Sequence, residues 1–266
     1  MTQVQSLSRA FSLLEQLAAS DMGLTLTDLS ACVGLAPSTV HRLLNSLKAM
    51  GYVECDGGTN LWSIGVQSFS VGNAFLRKRD FAVRARPFMK DLVAQTGETA
   101  NLAILDGCEV VYVAQVESKE VMRVAVQVGS RGTVYATGVG KSLLSALAEK
   151  DLHALLKGVK MTAFTDRTCV TKTALYEALK TARIQGYTLD DEEQSLGLRC
   201  VATNIYDAFG DAIAALSISG PSVRVSERRI PKLVENLLDC AAQITAAIGG
   251  RPPVKNKHNI TSPRDV

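Results

Sequence analysis

Paired cysteines, clustered histidines and long apolar runs are all missing from this chain, and each absence removes a class of protein. The six cysteines, Cys32, Cys55, Cys108, Cys169, Cys200 and Cys240, are scattered with no C-x-x-C pair, and His41, His153 and His258 lie far apart. That spacing argues against a zinc module and a disulfide framework. A reducing cytoplasm is the expected setting. The most apolar candidate strand, Ala212 to Ile218, is far too short to span a bilayer, so no membrane partner is expected. Met1-Thr2-Gln3-Val4 lacks a basic region ahead of an apolar run, and no signal peptide is expected. A net charge of +3 is too small to indicate nucleic acid by itself. What remains is a chain of 266 residues, 47% hydrophobic, enough to bury a sizeable core in one or two domains.

The most informative stretch is Thr25 to Tyr52, TLTDLSACVGLAPSTVHRLLNSLKAMGY. It reads as a helix, a tight turn and a second helix. Thr25 with Asp28 has capping-box spacing. Pro37 suits the first turn of the second helix, because its φ is fixed and it has no N–H to satisfy. Val40, Leu43, Leu44 and Leu47 recur at the spacing of one buried face. Opposite them lie Ser38, Arg42, Asn45 and Ala49, flanked by Thr39 and His41. Short donors with one Arg and one Asn suit base edges and phosphates, as on the second helix of a helix-turn-helix. An ordinary amphipathic hairpin with a solvated face reads equally well from these residues alone. The next segment favours the first reading. Tyr52 to Cys55 and Leu61 to Gly65 flank an Asp56-Gly57-Gly58 turn, and together they spell a β-hairpin. Helices closed by a hairpin make a winged helix-turn-helix.

Charge sits awkwardly with this. Residues 1–62 carry Arg9, Arg42 and Lys48 against Glu15, Asp21, Asp28, Glu54 and Asp56, a net −2. Phosphate affinity comes mainly from Lys and Arg, so one such domain should hold DNA weakly. Helix N-termini can replace part of that attraction, and pairing domains in an oligomer can supply the rest. Arg77-Lys78-Arg79 reads as a solvated linker more readily than as a phosphate contact.

The chain divides near Gly65. Leu7, Phe11, Leu14 and Leu17 mark a first helix, and Val66 to Arg79 and Phe81 to Gln95 two more, the latter ended by Gly97. Ala100 to Leu105 and Val110 to Val116 flank an Asp106-Gly107 hairpin turn. Val121 to Val128, Arg199 to Ile205 and Ala212 to Ser219 read as strands. Lys172 to Gln185 and Ser226 to Ile248 read as helices. The fold class is therefore mixed α/β (α+β). The expected organisation is a DNA-binding domain over 1–65, a linker helix over 66–80, a second domain over 81–250, and a disordered tail over 251–266.

Four features of the second domain bear on chemistry. Gly140-Lys141-Ser142 resembles the end of a P-loop, but the Gly required five residues earlier is Tyr135, and nucleotide binding is rejected. No cofactor is expected. A glycine turn feeding a helix survives, with free N–H groups at Gly138 and Val139 that could accept a small carboxylate. Ser217 and Ser219 share one face of a strand and Ile218 the other, so two buried hydroxyls ask for partners. Cys200 is a small apolar filler or a nucleophile, with no His near it in sequence. Asp190-Asp191-Glu192-Glu193 reads as a solvated acidic loop.

With these residues in view, the chain resembles the IclR family of bacterial transcription regulators. The segments VQSLSRAFSLLEQLA, LTDLSACVGLAPSTVHRLLNSLKAMGYVE and LWSIG fit that family's DNA-binding domain. GETANLAIL, TGVGKSLL, GYTLDDEEQSLGLRCVA and AALSISGPSVR continue the likeness in order over residues 3 to 249. The resemblance implies a winged helix-turn-helix with Pro37, Ser38, Thr39, His41, Arg42 and Asn45 at operator DNA. It implies a GAF-like sensor with a small organic acid among Gly138, Val139, Asp190, Leu198, Cys200, Ser217 and Ser219. It also implies a homodimer or dimer of dimers. Within the family the motifs look most like those of allantoin-pathway repressors, making glyoxylate the first effector candidate. Val139 departs from the Ala of those regulators. An Asp beside a carboxylate is understandable if it accepts a hydrogen bond from a hydroxyl of the ligand. Two alternatives stand: a relative responding to an aromatic or sugar-derived acid, and an enzyme using Cys200.

Overall fold

The computed structural model describes residues 4–77, 79–124 and 126–253. They form two compact units, one ending at Arg79 and the other beginning at Asp80.

The first unit contains α1 (Gln5–Ala18), α2 (Leu26–Val33), α3 (Pro37–Ala49), β1 (Val53–Cys55), β2 (Trp62–Ile64) and α4 (Val66–Arg77). The Thr25 hydroxyl accepts from the Asp28 N–H at 3.2 Å and the Asp28 carboxylate accepts from the Thr25 N–H at 3.3 Å, a complete capping box on α2. Gly34 ends that helix at φ 63°, a left-handed turn that aims the chain into α3. Leu13, Leu17, Leu29, Val40, Leu44, Leu47, Val53 and Trp62 make the core. Leu7 and Phe11, which mark α1 in the sequence, stand in solvent, and Leu13 and Leu17 bury the helix instead. The hairpin closes because Asp56 Oδ1 accepts from Gly58 N, Thr59 N and the Thr59 hydroxyl. Gly65 allows the wing to return against the helices, since a Cβ there would sit 2.5 Å from the Gly51 carbonyl oxygen. Gln67 N donates to Gly51 O at 3.0 Å and Ser68 Oγ to Tyr52 O at 2.8 Å, fixing the start of α4 to this unit.

The second unit contains α5 (Asp80–Thr96), β3 (Thr99–Asp106), β4 (Glu109–Val116), β5 (Arg131–Thr133), α6 (Gly138–Ala146), α7 (Glu149–Leu156) and α8 (Lys172–Gln185). These are followed by β6 (Thr188–Asp191), β7 (Leu198–Tyr206), β8 (Ala212–Pro221) and α9 (Ile230–Ala247). Six antiparallel strands lie in the order β5-β4-β3-β8-β7-β6. Alternation along each strand sends side chains to two covered faces. Ala103, Ala202 and Ala215 meet Val139, Leu143, Leu144, Leu152, Leu156, Leu175 and Leu179 of α6, α7 and α8. On the other face α5 and α9 pack against β3, β4, β7 and β8. The expected α+β class, with a helix-turn-helix unit followed by a sheet domain, is what the chain adopts.

Two sequence readings need correction. Residues 121–128 form no strand among those described; the strand that pairs with the start of β4 is β5, with Val111 opposite Arg131 and Glu109 opposite Thr133. Val121, Met122 and Val128 are exposed, so the apolar pattern there has no core to bury it. The acidic run is also not a solvated loop: Asp190 and Asp191 lie in β6, and Asp190 is 2% exposed. Of the segment read as a disordered tail, Arg251 N donates to Asp207 O at 3.0 Å, and residues 254–266 lie outside the described residues. So does Lys78 of the basic run. The Arg79 guanidinium lies 3.7 Å from the centre of the Phe75 ring.

Candidate functional site

The first candidate surface is α3. Val40, Leu44 and Leu47 are buried and Leu43 half-buried, and this turns Pro37, Ser38, His41, Arg42 and Asn45 outward. Thr39 is half-buried at the border. Asn45 Nδ2 lies 3.2 Å from a ring nitrogen of His41, so these two polar side chains already form one exposed unit. Ser46 Oγ is bonded to the Arg42 carbonyl, and the Arg42 guanidinium stays on the exposed face. Lys48 sits 5.8 Å from the centre of the Trp62 ring, placing one of the unit's few positive charges between helix and wing.

The second candidate site lies where α6 begins above the sheet. Register places its residues before any side chain is considered, since directly opposed antiparallel residues share a face. Asp190, Cys200, Ser219 and Thr99 form one cross-strand row; Thr188, Ala202, Ser217, Asn101 and Gln115 form the next. Leu198, two residues before Cys200, is half-buried on the same face. Gly138 lies directly over these rows: a Cβ on it would stand 2.9 Å from Cys200 Sγ and 3.5 Å from Ala202 Cβ. Only glycine lets the helix start approach this closely. Thr137 caps α6 by accepting from Gly140 N at 3.1 Å, and Thr188 Oγ1 donates to Gly138 O at 2.8 Å. The N–H groups of Gly138 and Val139 precede the first intrahelical bond and are free to meet an acceptor. Val139's side chain belongs to the apolar cluster beneath α6, so this residue can contribute only its backbone N–H.

The hydroxyls facing that helix start are not equally satisfied. Asn101 Nδ2 donates to Ser219 Oγ at 3.4 Å, and Gln115 Nε2 holds Asn101 by donating to its Oδ1 at 2.9 Å. Ser219 therefore accepts from the protein and keeps its own proton to donate. Ser217 Oγ is buried, at 1% exposure of the residue, with no hydrogen-bond partner. An orphaned hydroxyl costs on the order of 1–3 kcal/mol, and a ligand oxygen would relieve it.

Titration in the site is set by burial. The Asp190 carboxyl is pushed up to about 7 by desolvation, against the opposing pull of Lys141 and of the Glu193 N–H that donates to it. Burial first, then the Asp190 charge, lifts the Cys200 thiol to about 11. A thiol held neutral is a poor nucleophile. Tyr112 is raised as well, by burial first and then by Cys200 and Asp190, so its phenol lies within electrostatic reach of both. Lys141, buried in α6, is held by the Glu193 carboxylate and the Leu189 carbonyl. The lysine of the apparent P-loop is thus an internal ion-pair partner that ties α6 to the end of β6.

All seven sequence-predicted sensor residues lie on one sheet face and the helix start above it. Sequence reading missed Asn101, Tyr112, Gln115, Thr188 and Lys141 as their neighbours. The signal was present only for Asn101, Lys141 and Thr188, which lie inside motifs quoted for the family resemblance. The others come from strand pairing, which the sequence does not display.

Comparison with known proteins agrees with this geometry. Residues 6–57 match the IclR helix-turn-helix domain, and residues 73–246 match the C-terminal region of the bacterial transcriptional regulator IclR. The regulator BhcR of Paracoccus denitrificans is 39% identical over 248 residues, spanning 93% of this chain and 88% of that protein. The transcriptional repressor AllR of Escherichia coli is 40% identical over 245 residues, spanning 92% and 90%. The crystal structure of Thermotoga maritima IclR superposes with a TM-score of 0.78 at 27% identity, covering 93% of this chain and all of that one. The chain belongs to the IclR family of bacterial transcriptional regulators. It is a DNA-binding regulator and not an enzyme, and the Cys200-nucleophile alternative falls with that assignment. Its partner is DNA.

Proposed function

We propose that this protein represses a catabolic operon and is controlled by a small 2-oxo or 2-hydroxy acid, glyoxylate first, bound between α6 and the sheet. The unpartnered, buried Ser217 hydroxyl carries this reading. It faces the free N–H groups of Gly138 and Val139 together with Ser219, Cys200, Leu198 and Asp190. Two hydroxyl donors and two N–H donors suit one carboxylate with an adjacent oxygen. The close approach of Gly138 to Cys200 favours a ligand of two to four carbons over an aromatic acid. The name of the acetate operon repressor of Salmonella typhimurium fits repression of small-acid use, and that of the transcriptional repressor AllR fits repression. Residues 1–65 would hold DNA through Pro37, Ser38, Thr39, His41, Arg42 and Asn45, with 66–80 as a linker helix and 81–250 as the sensor. Self-association is supported by apolar side chains standing in solvent, Val4 just ahead of α1, Leu7 and Phe11 on α1, and Val66, Phe69 and Phe75 on α4.

Calorimetry with a panel of small acids tests the site. Glyoxylate or a close 2-oxo or 2-hydroxy acid should bind more tightly than acetate, which lacks the second oxygen. Ser217→Ala and Ser219→Ala should each weaken binding by about 1.5–3 kcal/mol. Binding by the double variant as tight as wild type would move the ligand elsewhere.

A further inference from the structure

The proposed site puts an anion beside a carboxyl group, and the surrounding charges determine how that is possible. Asp190 Oδ1 accepts from Glu193 N at 2.8 Å and from Gln194 N at 3.4 Å, while Oδ2 makes no hydrogen bond among the described residues. Four titratable groups face it: Lys141 from α6, Glu193 just beyond β6, Tyr112 from β4 and Cys200 from β7. Lys141 does not offer a free cation, because its amine is already engaged by the Glu193 carboxylate and the Leu189 carbonyl. Tyr112 and Cys200 are both driven toward their neutral forms by burial. With Asp190 ionised the cluster is therefore net −1, and a bound carboxylate would make it −2 where Asp190 is 2% exposed. Two like charges so close and so poorly solvated do not both remain ionised.

We propose that Asp190 binds the effector as a neutral carboxylic acid, with Oδ2–H donating to the ligand, so that each anion enters together with one proton. The Asp190 carboxyl then acts as a hydrogen-bond donor in the pocket, and the site senses pH as well as ligand. This inference rests on the anion reading of the site given above. Burial already brings Asp190 to about 7 in the empty site, so the proton is within reach near neutrality. The sign of the dependence follows. Below that value the empty site is already protonated and no proton is taken up. Above it, uptake approaches one proton and affinity falls as pH rises.

The test is calorimetry of glyoxylate binding to the full-length protein at pH 6 and pH 8, in buffers of differing ionisation enthalpy. Uptake should be near one proton at pH 8 and small at pH 6, and affinity should be about tenfold weaker at pH 8. Asp190→Asn mimics the neutral acid; it should bind at pH 8 without proton uptake and with little pH dependence. Binding by wild type at pH 8 without uptake would overturn the inference while leaving the anion site standing. Persistent uptake in a folded Asp190→Asn protein would overturn it too, and would place the proton on Glu193, whose Oε2 is also buried and unpartnered. Absence of binding heat for any acid in the panel at either pH would instead overturn the anion reading on which the inference stands.

Discussion

Single residues carry the two recognition events in different ways. On α3 the polar side chains are exposed and pair with one another, His41 with Asn45, where DNA would replace that contact. Arg42 is the one cation on that face. Arg42→Ala should cost about 1–3 kcal/mol in operator binding if Arg42 reads a base. Gel shifts on operator and on random DNA check this: loss confined to the operator marks base reading, and equal loss on both reduces Arg42 to a phosphate contact. In the proposed sensor site the residues are buried, and their value would lie in what they lack. Ser217 has a hydroxyl without a partner, and Asp190 has one oxygen held and the other open. The hydroxyl pair was legible in the sequence as Ser-Ile-Ser, because strand alternation alone puts both serines on one face. The state of Asp190 was not. A run of four acidic residues looks solvated in one dimension, and only pairing of β6 with β7 shows that its first member points inward opposite Cys200.

At the scale of elements, the proposed sensor site is a helix start pressed onto a sheet. Thr137, Thr188 and Gly138 set the height of α6 above Cys200. Gly138→Ala should therefore close the site, because the added methyl meets Cys200 Sγ at 2.9 Å. Cys200→Ala removes that sulfur, so the Gly138→Ala/Cys200→Ala double variant should recover much of the lost effector affinity. Calorimetry on the single and double variants reads this directly; no recovery would show that Gly138 serves the backbone and not the space over Cys200. Most of the elements themselves follow from local signals: the Thr25–Asp28 box, Pro37, the Asp56 turn and the hairpin at Asp106-Gly107. The failure at 121–128 is equally physical. An alternating apolar pattern specifies a strand only when another strand pairs with it, and the strand that pairs with β4 here is β5, whose three residues are too few to show any periodicity.

At the scale of the whole molecule, a DNA-binding unit of nearly balanced charge and the proposed anion site would have to communicate. The first unit's few cations leave little phosphate attraction, which favours assembly of several copies on one operator. On the proposed reading the effector would act by favouring one arrangement of those copies over another, and coupling of that kind is typically worth about 1–3 kcal/mol. The most direct test is a titration of fluorescent operator DNA, selected from a random library with the full-length protein, in the presence and absence of saturating glyoxylate. Glyoxylate should change operator affinity by about tenfold or more in the wild type and leave the Ser217→Ala/Ser219→Ala protein unmoved. Equal operator affinity with and without the acid, or an undiminished response in the double variant, would contradict control of DNA binding from the site between α6 and the sheet.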